Sequence, residues 1–252
     1  MANIKFFLRP YYIANTSVLL LYLLIRLLGN KPRKADLKDE TLPEAIAYNR
    51  EIQILATASV VIFARYIKSP TWESFFSQFF TYMKVSCFIS CYYINYITMA
   101  WYAIANLVVW MLFKMPLYEG PHKFQSFSSF SDFENTVLKG GTWVVLFYAE
   151  WNETCVTTMS MWADLSLKYS TKELKFGRVD VEKLEYLAKK CAVDTSSMSN
   201  QLPSLVLYEK GREVKRFPPV SEDGRIPKVL NYRAKDIVNY LGIERIYLAT
   251  RN

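Results

Sequence analysis

V-V-L-F-Y-A-E-W-N-E-T-C, residues 144–155, is the stretch on which the reading of this 252-residue chain turns. Trp143 to Tyr148 form an unbroken apolar run, the pattern of a strand buried on both faces. Asn152 follows, a residue type strongly favoured as a helix N-cap, and a helix is expected from about Thr154 to Tyr169. Working outward, strands are expected at Phe176 to Val181, Leu205 to Tyr208 and Glu213 to Phe217. Helices are expected at Phe127 to Leu138, Glu182 to Cys191 and Ala234 to Leu241. Strands and helices that alternate and then end in a hairpin imply an α/β fold with a mixed central sheet flanked by helices.

The N-terminal half reads differently. Val85 to Phe113 holds no charged side chain over 29 residues and is bracketed by Lys84 and Lys114, and about 20 apolar residues suffice to cross a bilayer. A transmembrane helix is therefore expected at 85–113, with Tyr and Trp rings for its interfaces. Tyr11 to Leu28 is a shorter apolar run whose Arg26 lies near enough to its end to snorkel. It reads as a retained signal anchor or first membrane helix, since no small-residue cleavage site follows it. Ile52 to Ile67 and the aromatic stretch at Phe75 to Phe80 are compatible with membrane hairpins or interfacial helices. The expected organisation is a hydrophobic region at 1–84, the helix at 85–113, a Pro/Gly-marked linker at 114–123 and an α/β domain at 124–252.

Charge narrows the function classes. Residues 1–120 carry 12 basic and 7 acidic side chains, and residues 121–252 carry 19 and 16, so neither half is a basic arm and nucleic-acid binding is not expected. Lys31, Arg33, Lys34 and Lys38 follow an apolar run and suit anionic headgroups instead. Cys87, Cys91, Cys155 and Cys191 are too few and too scattered for a disulfide scaffold. They show no zinc spacing, and with His122 as the one histidine, no metal or cofactor is expected. Cys87 and Cys91 share a helix face, a spacing open to packing, palmitoylation or a dimer contact.

Three separated motifs now fall in order: V-V-L-F-Y-A-E-W-N-E-T-C (144–155), K-F-G-R-V-D-V (175–181) and L-P-S-L-V-L-Y-E-K-G (202–211). This order resembles thioredoxins. With the hydrophobic N-terminal half, the P-L-Y-E-G-P linker (116–121) and M-W-A-D-L-S-L-K-Y (161–169), it is similar in particular to the thioredoxin-related transmembrane protein 2 family. The resemblance implies a thioredoxin-like fold behind a membrane region. It also implies a place in the endoplasmic reticulum membrane with the domain on the cytosolic side.

Against that pattern two residues are missing. In a C-x-x-C pair the first cysteine sits at a helix N-terminus, where dipole and free N–H groups make it the attacking thiolate. Asn152 stands there, leaving Asn152-Glu153-Thr154-Cys155, and asparagine forms no mixed disulfide. Thioredoxins also carry a buried acid three residues before the alanine that ends this strand, and here Leu146 occupies that place. Dithiol exchange is thus expected to be lost or weak. Cys155 is the candidate catalytic residue as a lone thiol, or a packed core cysteine. Trp151, Asn152, Leu202 and Pro203 are the candidate binding residues, Pro203 because it resembles the cis-proline beside the redox motif.

The expected function is regulation of redox state or protein folding at the endoplasmic reticulum through partner binding. The alternative is a monothiol oxidoreductase that pairs Cys155 with glutathione or a second chain. Expected partners are the lipid bilayer, proteins at the thioredoxin-like surface and a second copy of the chain. N-E-T at 152–154 is also a glycosylation sequon, usable only if the domain faces the lumen.

Overall fold

The computed structural model describes residues 8–28, 44–69, 71–196, 199–220 and 232–250, with side chains in the second of these stretches described at 50–67 and 69. The basic cluster Lys31, Arg33, Lys34 and Lys38 lies outside the described residues. The chain divides into two compact units, one of residues 1–69 and 75–116 and one of residues 70–74 and 117–252.

The first unit is helical: α1 (Pro10–Leu27), α2 (Glu44–Lys68), α3 (Trp72–Ile94, whose first turn belongs to the other unit) and α4 (Tyr96–Leu112). α1 is the one described helix both long and apolar enough to cross a membrane, and α4 is a shorter apolar helix. The 85–113 run is not the single helix expected. It breaks at Asn95, whose backbone is extended (φ −163°, ψ 143°) and whose Oδ1 accepts from the Ile97 N–H at 3.2 Å, starting α4 afresh. Hydropathy measures length, whereas one N-capping residue decides continuity.

Inside this unit Val18, Tyr22, Cys87, Cys91, Ile94 and Tyr102 form one buried cluster, so both helix cysteines pack as small hydrophobes. Arg26 is paired within this unit. Its guanidinium meets Glu51 at 2.5 Å, and the Tyr22 hydroxyl donates to the same carboxylate. Lys84 donates to Asn15 Oδ1, a second polar tie between helices.

The second unit holds β1 (Gln125–Phe127), a short α5 (Phe130–Phe133) continued by a π-helical turn (Glu134–Leu138), β2 (Thr142–Tyr148), α6 (Glu153–Tyr169), β3 (Leu174–Asp180), α7 (Glu185–Lys190), β4 (Ser204–Glu209), β5 (Arg212–Phe217), α8 (Ala234–Leu241) and α9 (Ile243–Thr250). The sheet order is β1-β3-β2-β4-β5. β2 runs parallel to β3 and antiparallel to β4, which gives the mixed sheet flanked by helices that the motif order implied. β2 is central and buried from Trp143 onward, as its unbroken apolar run requires. The β4–β5 hairpin turns through Lys210 (φ 51°) and Gly211 (φ 80°), and a Cβ on Gly211 would lie 2.1 Å from the Leu138 carbonyl oxygen. Glycine is required there for both conformation and space.

Candidate functional site

β2 delivers the site. The strand ends at Tyr148, the chain turns through Ala149 to Trp151, and Asn152 takes extended backbone before α6 begins at Glu153. Its Oδ1 accepts from the Thr154 N–H at 2.9 Å and the Cys155 N–H at 3.3 Å. Two of the four unpaired amides that open any helix are thereby satisfied. The cap is Asn152 itself, the residue that the resemblance sets at the first position of a C-x-x-C motif.

Cys155, one turn further on, is 0% exposed. Burial pushes its thiol up to about 12, against a smaller opposing hydrogen bond to the Ala149 backbone. A sulfur that keeps its proton at neutral pH and has no accessible surface is a poor nucleophile. Leu146, at the place of the thioredoxin acid, is also fully buried and pairs with Leu205 across β2 and β4. Asp180 is the one buried carboxylate among the described residues. It is committed to Lys183 Nζ at 3.0 Å and to the Glu182 N–H at 3.0 Å.

The five candidate residues separate by depth. Trp151 is 43% exposed and Asn152 half-buried, with Glu153 and Thr154 exposed beside them. Leu202 is buried, and Pro203 is too, behind a cis Leu202–Pro203 bond. Accessible surface at this end of the sheet is thus offered by the turn and the first helical turn rather than by the proline edge.

Tyr232 joins the two halves of the site and is a residue the sequence reading did not find. Its hydroxyl donates to the Pro203 carbonyl at 2.9 Å. Its phenol is held protonated first by burial and then by proximity to Cys155. The tyrosine therefore bonds the proline segment while standing next to the cysteine. It precedes α8 by two residues in a stretch with no periodicity to mark it. Among the described residues no group of three His, Cys, Asp or Glu side chains is placed to hold a metal ion.

The geometry can be set beside known proteins. A family model described as Thioredoxin matches residues 126–231. Thioredoxin-related transmembrane protein 2-B of Danio rerio is 32% identical over 96% of this chain and 79% of its own length. The thioredoxin-related transmembrane protein 2 homolog of Drosophila melanogaster is 29% identical over 96% and 94%. Among solved structures, thioredoxin NaTrxh from Nicotiana alata is 20% identical, covering 54% of this chain and 100% of its own, with a TM-score of 0.38. With apolar helices before a thioredoxin domain, α1 among them long enough to cross a membrane, and that identity sustained along nearly the whole chain, the protein belongs to the thioredoxin-related transmembrane protein 2 family.

Proposed function

We propose that this chain is a membrane-anchored binding module that regulates redox state or protein folding at the endoplasmic reticulum through protein partners, without dithiol exchange of its own. The observation that carries the reading is the Asn152 cap. The side chain that replaces the nucleophile is used up by the Thr154 and Cys155 amides, so the helix start is stable without any sulfur at the surface. The Trp151–Thr154 turn is the accessible contact surface, with Trp151 as its aromatic anchor. A monothiol oxidoreductase would need Cys155 at that surface, and the burial of its sulfur weighs against it.

The anchor is α1 together with the helices of the 85–113 stretch, and the thioredoxin-like unit faces the cytosol. In that compartment Asn152 escapes glycosylation and keeps its capping role. The chemistry is tested by insulin reduction with the full chain in detergent: no turnover above background is expected, and turnover abolished by Cys155→Ser would overturn the reading. Orientation is tested by adding protease to intact microsomes. Digestion of the domain supports the cytosolic side, and protection until detergent is added reverses it.

A further inference from the structure

α2 and α3 face each other in opposite directions in the first unit, Arg50 against Tyr93 and Arg65 against Tyr82, and a cavity of about 700 Å³ is lined by both helices. Its wall is built from Ile54, Ala58 and Val61 on α2 and Val85 and Ile89 on α3. The hydroxyls along it are turned into their own helices: Thr57 donates to the Gln53 carbonyl at 2.8 Å and Ser86 to the Tyr82 carbonyl at 2.9 Å. Apolar side chains thus supply most of the groove's lining, with Gln53 the polar side chain among them on α2 beside Arg50. From Arg50 to Val61 it rises about 16 Å at 1.5 Å per residue, close to the roughly 15 Å depth of one leaflet.

Arg50 stands at one mouth, its guanidinium 5.7 Å from the centre of the Tyr93 ring. Its neighbour Glu51 is taken by Arg26 and Tyr22 of α1, and among the described residues no carboxylate pairs with Arg50. An arginine exposed at the end of this groove attracts an anion, and its planar fork matches a phosphate. Tyr93, with Arg50 against its ring, brings a phenol to the same mouth. At the far end Arg65 lies over Tyr82, so the apolar stretch ends at a second cation.

We propose that this groove holds one anionic phospholipid, its phosphate on Arg50 and one acyl chain along Ile54, Ala58, Val61, Val85 and Ile89. The argument is charge complementarity at the mouth joined to a leaflet-deep apolar wall. It rests on α2 lying in the bilayer beside the anchor helices and not on the thioredoxin-like surface. Carbonate extraction of the same preparation distinguishes failed insertion from failed lipid binding.

The test is native mass spectrometry of the full chain released from nanodiscs of equal phosphatidylglycerol and phosphatidylcholine. The unmodified chain should retain one phosphatidylglycerol in preference to phosphatidylcholine. Arg50→Gln should cut that preference about fivefold, the worth of one basic side chain at an anionic surface. Arg50→Lys should keep most of it, and Ala58→Trp, which fills the groove, should abolish retention with Arg50 intact. Equal retention in all four proteins, or a lipid-free mass of two chains, overturns the proposal. If Arg50→Gln loses its helical circular dichroism, a phosphatidylglycerol with a photoreactive tail decides on the unmodified chain. Crosslinks should fall on 54–61 and 85–89, and crosslinks spread evenly over every helix overturn it.

Discussion

Asn95 and Asn152 perform the same local act in the two units with different results. Each sits in extended backbone and each turns its Oδ1 to an amide of the helix that follows, Ile97 in one case and Thr154 with Cys155 in the other. At Asn152 the cap begins a helix where a strand has ended, and it occupies the place of a nucleophile. At Asn95 it interrupts an apolar run that had no need to break. The difference teaches that a capping side chain is read by its surroundings: after a strand it marks a boundary, and inside 29 uncharged residues it is overshadowed by hydropathy.

The largest effect separating the two regions concerns the thiol beneath the Asn152 cap. With Cys155 pushed up to about 12, its thiolate fraction at pH 8 lies roughly a thousandfold below that of an unperturbed cysteine. Iodoacetamide should label it about that much more slowly in the folded chain than in guanidine, while the half-buried Cys191 is labelled first. Peptide mapping by mass spectrometry reads both sites. The pH sign follows: a thiol raised above its ordinary value of about 9 adds stability that is complete below pH 9 and is lost as pH climbs towards 12. Cys155→Ala should flatten that alkaline loss. Rapid labelling of native Cys155 at pH 8 would show an open site and break the contrast between cap and core.

The next effect is a gain. Asn152→Cys places a sulfur at the helix start and should raise insulin reduction from background to a measurable rate. That rate should stay about a hundredfold or more short of a dithiol protein with its buried acid, since a positioned proton acceptor contributes roughly 10²–10⁴-fold and Leu146 supplies none. A variant as fast as a thioredoxin would mean that another group serves the resolving thiol, with the Tyr232 phenol the first to mutate.

These tests fall on the part of the molecule that was most legible. Motif order gave the mixed sheet, the apolar run around Leu146 gave the buried strand and Asn152 declared its capping role by type, because a buried strand and a capped helix start impose strong local preferences. The rest was hidden for physical reasons. β1 is three residues with one buried side chain, too short for any period. α9 follows α8 after Gly242 in the left-handed region (φ 71°), a helix stop that looks like the end of the fold. Tyr232 acts through a bond to Pro203, 29 positions away in sequence. The α2–α3 groove likewise depends on which faces of two helices meet, which hydropathy does not record.

The smallest effect tests the caps themselves. Asn152→Ala removes the acceptor of two amides and should cost about 1 kcal/mol, or a fall of about 3 °C in the melting midpoint for a unit of this size. Asn152→Gly should cost only a few tenths of a kcal/mol, because glycine is tolerated at an N-cap and leaves the amides open to water. Amide hydrogen exchange at Thr154 and Cys155 should quicken in the alanine variant, with the rest of α6 unchanged. Asn95→Ala should behave otherwise. Alanine is a strong helix former, and without the cap residue 95 can turn helical, so α3 and α4 should join and the Ile97 amide should find the residue-93 carbonyl and stay protected. If Ile97 exchanges faster in that variant, the break is imposed by packing around the two helices and Asn95 merely decorates it. If glycine and alanine at 152 cost the same, the loss there comes from contacts other than the cap, and the parallel between the two asparagines fails.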